Sequence, residues 1–248
     1  MITYLSKILQ YLKNKIYRLQ GSTNYLKLIK LYHFLFREKF KKEITVPEIY
    51  NYNIHRSEIL NKIIDMKNFK DYLEIGCDQN ELFEKVIIEN KIGVDPHSGG
   101  THRMTSDFFF YENKKKFDLI FIDGLHSYKQ VKKDIENSLN CVSNNGFILL
   151  HDCFPFSYYD QAVPRAQRKW NGDVWKSIVE FRRRDDLSIL VGAFDNGIGL
   201  IYKKKNKNKL ILEKDIDNIT YHDYFLNYEE YLNLVEYKYF FKEIDEFK

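Results

Sequence analysis

The sequence predicts an α/β fold with a doubly wound, mostly parallel sheet that ends in an antiparallel hairpin. Short apolar runs alternate with helical patterns five times along the chain, which is typical of parallel sheets with helices on both faces. Near the end of this alternation, Phe194-Asp195-Asn196-Gly197 separates apolar runs at 188–193 and 198–202. Asn-Gly between two such runs is a strong hairpin signal.

The first strand–helix–strand unit extends from Asp71 to Asp95. It predicts a buried strand at 72–75, a turn at Gly76, a helix at 81–90 and a strand at 92–94. A glycine turn lets the backbone approach a ligand, and an acid after the second strand can bind ribose hydroxyls. A dinucleotide site would require G-x-G-x-x-G, so Gly76 alone argues against a dehydrogenase.

Each later strand also ends in polar residues. We expect a third strand ending near Thr105, a helix capped by Ser106 or Asp107, strands at 117–123 and 147–150, and helices at 128–139 and 174–183. Parallel sheets bind ligands at the carboxyl ends of their strands. The candidate site residues there are Glu74, Gly76, Asp95, Ser106, Asp107, Asp123, His126, His151 and Asp152.

The flanking segments are helical in pattern, and we divide the chain at residues 1–56, 57–203 and 204–248. The first is an N-terminal helical extension interrupted at Gly21, and the last is a C-terminal segment with a helix at 222–235 that packs on the central domain. We expect the N-terminal helices to pack on this domain or to mediate a homo-oligomer. Their amphipathic, basic character leaves a membrane surface as the alternative.

Composition restricts the location and the partners. Three cysteines at unrelated spacings fit a reducing compartment, the N-terminus lacks a signal-peptide core, and no apolar run approaches the roughly twenty residues of a membrane span. The net charge of +4 comes without a dense patch of basic and aromatic residues. We therefore expect a cytoplasmic protein without stable membrane insertion and without a nucleic-acid partner.

Several motifs resemble those of one enzyme family. The segments YLEIG, GVDP, SGGTHRMTSD, FIDGLHSYKQVKKDIENSL, GFILLHDC and GDVWK fall within residues 57–203. They resemble bacterial class I S-adenosylmethionine-dependent methyltransferases associated with sugar and polysaccharide genes (methyltransferase domain 24-like). The resemblance implies seven strands in a Rossmann-like fold. It assigns the methionine part to Glu74 and Gly76, ribose to Asp95, and adenine to Ser106 and Asp107, with Asp123 also at the cofactor.

Oxygen acceptors are weakly acidic, so methyl transfer to them benefits from a base or a metal. We predict His126 as the base, with Asp123 and Asp152 orienting the acceptor. Asp123, His151 and Asp152 can instead hold Mg²⁺ or another divalent cation, and both options stay open. Arg165, Arg168 and Lys169 can hold a substrate phosphate, and Trp170 can stack on a sugar.

The function predicted from these residues is O-methylation of a sugar or surface-polysaccharide precursor, with a small-molecule, sugar-nucleotide or glycan acceptor. One alternative is methylation of another acceptor, namely an amine, RNA or a natural product. The other is a non-catalytic module that binds S-adenosylmethionine, since the Gly76 turn lacks the usual further glycines.

Overall fold

The fold is built on a seven-stranded sheet. The computed structural model describes residues 25–36, residue 44 and residues 53–247. The strands are β1 (Asp71–Ile75), β2 (Asn90–Val94), β3 (Phe117–Ile122), β4 (Val142–Leu150), β5 (Leu187–Gly192), β6 (Ile198–Lys203) and β7 (Leu234–Val235). Their spatial order is β2-β1-β3-β4-β6-β5-β7. All neighbouring pairs are parallel except β4–β6 and β5–β6, so β6 alone runs against the others.

Helices cover both faces of this sheet. They are α1 (Tyr25–Phe36), α2 (Arg56–Lys67), α3 (Glu81–Lys85), α4 (Ser106–Glu112), α5 (Tyr128–Cys141), α6 (Tyr158–Gln161), α7 (Trp175–Phe181), α8 (Tyr221–Leu232) and α9 (Tyr237–Glu246). One core packs α2, α3 and α9 on the sheet, and a second core packs α4, α5, α7 and α8 on the opposite face. The predicted doubly wound fold is confirmed.

The central strand β3 shows why the sequence folds in this way. Its residues are apolar at nearly every position because a parallel strand covered on both faces has no solvent side. Leu119 and Phe121 enter the first core, whereas Ile120 and Ile122 enter the second, as the alternation of side chains along a strand requires.

Several predicted elements differ from the structure. The predicted third strand is wrong, because the chain after β2 pairs only through an isolated bridge between Val94 and His102. The helix predicted at 81–90 ends at Lys85, and α4 is capped by Thr105, whose side chain accepts a hydrogen bond from the Phe108 amide. The seventh strand of the sheet is β7, whose two residues lie within the helix predicted at 222–235.

The helix predicted at 222–235 corresponds to α8 and ends at Leu232, because Asn233 has a φ of 48° and caps it. The next two residues then pair with β5. In the N-terminal extension, α1 agrees with the helix predicted after Gly21, while the helix predicted before it lies outside the described residues. Within the described ranges, no helix combines the length and apolar character needed to cross a membrane.

Candidate active site

A cavity of about 550 Å³ opens at the carboxyl edge of β1, β2 and β3. Its lining includes Gly76, Asp78, Asp95, Ser106, Asp107, Asp123, His126, Gln130 and Asp134. Five of the six predicted cofactor residues therefore surround one space, and its volume is in the range of small-molecule sites. Glu74 lines a smaller cavity of about 260 Å³, which shares Gly76, Asp123 and His126 with the first.

The turn after β1 depends on glycine. Gly76 has a φ of +89°, and a Cβ built on it would lie 2.3 Å from the carbonyl oxygen of Asp123. Its amide donates to the carbonyl of Val94 at 2.9 Å. The turn is thus pressed between the ends of β2 and β3, where a side chain would separate them.

Asp95 organises the loops beside this turn. Its Oδ1 accepts from the amides of His97 at 2.7 Å and Ser98 at 2.9 Å, and its Oδ2 accepts from the amide of Asp78 at 3.1 Å. Burial raises the pKa of Asp95, but these backbone donors outweigh it and hold the pKa below the usual range. The residue after β2 is therefore a fixed carboxylate at the cavity wall.

The far end of the cavity holds a cluster centred on Gln130. Its side-chain amide donates to Ser106 Oγ at 3.3 Å, Asp107 Oδ1 at 3.0 Å and Asp134 Oδ1 at 3.1 Å. The Gln130 hydrogen bond lowers the pKa of Asp107, whereas burial raises the pKa of Asp134 to about 6. Gln130, which the sequence did not single out, thus links Ser106 and Asp107 to Asp134 at the cavity wall.

His126 lies between two carboxylates. Its Nε2 is 3.4 Å from Asp123 Oδ1, and its Nδ1 is 3.1 Å from Asp152 Oδ2 and 3.2 Å from the carbonyl oxygen of Trp170. All three neighbours only accept, but two of them, at shorter distances, face Nδ1. In the neutral ring the proton is therefore favoured on Nδ1, and Nε2 is the atom that can exchange one. Burial lowers the pKa of His126, but the Asp123 hydrogen bond and the charges of Asp123 and Asp152 raise it overall.

His151 lies behind His126, with both ring nitrogens facing acids. Nδ1 is 3.3 Å from Asp123 Oδ1 and from Asp152 Oδ2, and Nε2 is 3.5 Å from Asp195 Oδ1. Burial opposes the charged ring, but the charges of Asp123 and Asp152 raise its pKa well above the ordinary value. The position of His151 among three carboxylates therefore favours the charged form of its ring. His151 lowers the pKa of Asp123 against the effect of burial.

Asp195 and Arg56 complete this network. Asp195 occupies the predicted hairpin turn, which reaches the carboxyl edge because β6 is antiparallel. Its Oδ2 accepts from the Arg56 amide at 2.7 Å, and the Arg56 guanidinium is 3.8 Å from both Asp195 and Asp123. Both residues were absent from the predicted site.

Glu74 is almost fully buried on β1, where the Tyr72 hydroxyl donates to Oε2 at 2.6 Å. Burial raises the pKa of Glu74 to about 7, and the charge of Asp123 adds to the effect of burial although the Tyr72 hydrogen bond opposes it. The carboxyl therefore titrates near neutral pH.

Residues 55–153 match the family model of a methyltransferase domain. The chain carries a methyltransferase domain. This match confirms the enzyme class predicted from the sequence, an S-adenosylmethionine-dependent methyltransferase. It includes β1 to β4 and all nine predicted site residues.

Solved structures resemble the methyltransferase at low sequence identity. A Podospora anserina methyltransferase, PaMTH1, bound to SAH is 13% identical, with a TM-score of 0.48, and the alignment covers 74% of this chain and 98% of that one. An O-methyltransferase from Bacillus cereus in complex with SAH is 12% identical, with a TM-score of 0.45 and coverage of 82% and 100%. No curated protein matches the sequence.

The methyltransferase also holds a donor set that suits a divalent cation. Oxygen atoms of Asp123 and Asp152 and a ring nitrogen of His126 lie within 4.8 Å of one another. Two carboxylates and one imidazole fit several divalent metals, although Mg²⁺ favours oxygen ligands. The set predicted from sequence contained His151 instead of His126 and stays a prediction.

Two residues predicted to contact the substrate also have contacts within the protein. Trp170 stacks on His126, with ring centroids 5.3 Å apart. The Arg165 guanidinium donates to the carbonyls of Gln167 and Arg168 and lies 5.5 Å from the Trp170 ring. Trp175 is fully buried, as expected of a core residue.

Proposed function

We propose that the protein transfers the methyl group of S-adenosylmethionine to a hydroxyl group of a sugar or surface-polysaccharide precursor. The observation that carries this proposal is His126, which lines the cavity with Nε2 3.4 Å from Asp123 Oδ1 while Nδ1 contacts Asp152 and the carbonyl of Trp170. A base in this orientation suits an acceptor that must lose a proton.

The cofactor roles follow the lining of the cavity. Asp95 would accept hydrogen bonds from the ribose hydroxyls, and the Gln130 cluster with Ser106 and Asp107 would bind adenine. The methionine part would bind beside Gly76, which lines the cavity above β1, with Glu74 on the adjoining smaller cavity. Asp123 and His126, which line both cavities, would then be the residues nearest to the acceptor.

When bound, S-adenosylmethionine supplies a methyl group on a positively charged sulfur that serves as its own leaving group. His126 Nε2 would take the hydroxyl proton as the acceptor oxygen bonds to the methyl carbon, and the electron pair of the broken carbon–sulfur bond would stay on sulfur. Asp123 stabilises the resulting imidazolium, and Asp152 keeps the ring oriented. The proton is then released to solvent.

The acceptor class is supported by the acids at this edge. Asp123 and Asp152 line the smaller cavity beside Gly76 and His126, and carboxylate oxygens can accept hydrogen bonds from acceptor hydroxyls. The motif resemblance to enzymes of sugar and polysaccharide genes points the same way. We accordingly propose a cytoplasmic enzyme with a small-molecule or glycan acceptor and, through the N-terminal helices, a homo-oligomer.

A divalent cation is the alternative activator. Asp123, His126 and Asp152 would hold it, and it would lower the pKa of a bound hydroxyl. A cation on His126 occupies the ring lone pair. The base and ligand roles of this residue therefore exclude each other.

The test is a screen for methyl transfer. The full chain is incubated with S-adenosylmethionine and a panel of nucleotide-sugars, with amines and RNA as other acceptor classes, and products are read by mass spectrometry. We expect a methylated nucleotide-sugar and stoichiometric S-adenosylhomocysteine. Transfer only to an amine or RNA would refute the acceptor class, and cofactor binding without transfer to any acceptor would favour the non-catalytic module.

A further inference from the structure

We propose that Trp170 is a positioning residue for His126, and that α1 holds it in place through the segment 162–172, here called the wall segment. The inference rests on the proposed function, in which His126 is the base and its orientation is important for catalysis. The indole and imidazole rings are stacked with centroids 5.3 Å apart and planes 12° apart. The carbonyl of Trp170 also lies 3.2 Å from His126 Nδ1.

The next two residues of the wall segment contact the same site. Asn171 Nδ2 donates to Asp152 Oδ1 at 3.0 Å, leaving Oδ2 of Asp152 toward His126. Gly172 has a φ of +68°, and a Cβ built on it would lie only 1.8 Å from the carbonyl oxygen of His126. Three consecutive residues thus enclose the imidazole ring, its carboxylate partner and its backbone.

The beginning of the wall segment supports the indole. Trp170 Nε1 donates to the carbonyl of Ala162 at 2.7 Å. Ala162 and Ala166 are both fully buried in a small core with Tyr25 and Ile29 of α1. The position of the indole is therefore coupled to a helix that lies outside the matched methyltransferase domain, residues 55–153.

A polar contact reinforces this packing. His33, one turn beyond Ile29 on the same face of α1, places Nε2 2.8 Å from the carbonyl oxygen of Pro164 and Nδ1 3.2 Å from the Tyr158 hydroxyl. Leu31 lies on the other side of α1 and is 52% exposed. The helix consequently has one face committed to the wall segment.

Stacking matters because a histidine ring has a broad, two-fold torsional preference about χ2. A flat aromatic neighbour restricts that rotation, so Nδ1 stays on Asp152 and Nε2 stays on Asp123. Without the indole the ring can turn over about χ2, which places carbon atoms where Nδ1 and Nε2 had been and removes the contacts that select one tautomer. Trp170 and α1 would thus affect catalysis by keeping His126 oriented, without contacting the acceptor.

The proposal is tested on the imidazole ring itself, by NMR of the full chain labelled with ¹⁵N and ¹³C at histidine. The His126 signals are assigned with His126→Gln, and spectra are recorded at a pH where the ring is neutral. We expect wild-type His126 to be the Nδ1–H tautomer with its ring proton shifted upfield by the indole. Trp170→Leu should give a mixture of tautomers, and Trp170→Phe should restore the single tautomer.

A matched pair in α1 tests the second link while leaving Trp170 present. Ile29→Ala should reduce the upfield shift of His126, whereas Leu31→Ala should leave it unchanged. A single Nδ1–H tautomer in Trp170→Leu would overturn the positioning role, and an unchanged shift in Ile29→Ala would overturn the role of α1. Neither readout measures methyl transfer, so these results stand apart from the test of the proposed function.

Discussion

The carbonyl oxygen of Asp123 lies where a side chain on Gly76 would have to go, 2.3 Å from an ideal Cβ. Because the obstacle is backbone and the φ is positive, we expect Gly76→Ala to cost about 1–3 kcal/mol of unfolding free energy from the strained φ alone. S-adenosylhomocysteine binding should weaken with it, since the turn must move. Chemical denaturation and calorimetry measure the two effects.

Gly124→Ala is the control for this prediction. A Cβ on Gly124 would meet only ordinary contacts, the nearest being Ile75 Cγ2 at 3.5 Å. Equal destabilisation in both variants would show that the approach of the Gly76 turn to Asp123 is not what requires glycine.

Asp95→Ala should weaken S-adenosylhomocysteine binding by about ten- to a hundredfold. The substitution removes the acceptor for ribose hydroxyls and also frees the amides of Asp78, His97 and Ser98. Calorimetric titration measures the loss. The control is Glu89→Ala, which replaces an exposed acid and should leave the affinity unchanged. If Asp95→Ala binds S-adenosylhomocysteine as tightly as wild type, Asp95 does not contact the cofactor.

His126→Gln should lower kcat by about a hundred- to ten-thousandfold and leave S-adenosylhomocysteine affinity nearly unchanged, because the base acts on the acceptor. In wild type, kcat should rise with pH as Nε2 loses its proton, with a midpoint above 6.5, since the pKa of His126 is raised. The pH–rate profile with the acceptor found by screening measures this. The control is His222→Gln, which replaces an exposed histidine and should leave kcat unchanged. Turnover near wild type in His126→Gln would show that another residue is the base.

Glu74→Gln should change how stability depends on pH. The folded pKa of about 7 exceeds the ordinary value of 4.5, so the folded state binds more protons in this range. Wild type should therefore lose stability relative to the variant as pH rises from 4.5 through 7, by up to about 3 kcal/mol. Parallel curves for the two proteins in urea denaturation would contradict the buried, protonated carboxyl.

Mn²⁺ titration should separate the two candidate metal sets. His126→Gln should weaken binding at least about tenfold if Asp123, His126 and Asp152 are the ligands. His151→Gln should instead strengthen it, because the substitution removes a neighbouring positive charge. The opposite pattern would favour the set with His151. Turnover that survives EDTA but not Asp152→Asn would exclude a metal role.

The sequence by itself determined most of the sheet and most of the residues gathered at its carboxyl edge. Apolar runs that end in acids specify parallel strands covered on both faces, and those strands bring Gly76, Asp95 and Asp123 to one edge whatever the loops do. The Asn-Gly turn likewise specified the hairpin. These features depend on local pattern, which a single sequence records directly.

Tertiary structure decided the elements with weak local signals. The chain near Thr105 pairs through only one bridge, and β7 has two residues that become a strand because Asn233 ends α8 beside β5. Neither segment is long enough for an apolar period to show. The helical spacing of apolar residues in α3 continues in the sequence beyond Lys85. The helix nevertheless ends there, because the backbone is extended at Val86.

The surroundings of His126 were decided in the same way. Arg56, Trp170 and Asp195 come from three distant parts of the chain and have no motif of their own. They meet because β6 runs antiparallel, so its turn reaches the carboxyl edge, and because the wall segment folds back between α1 and β4. Side-chain chemistry named the acids and histidines, but only the packing of distant segments determines which nitrogen of His126 faces which carboxylate.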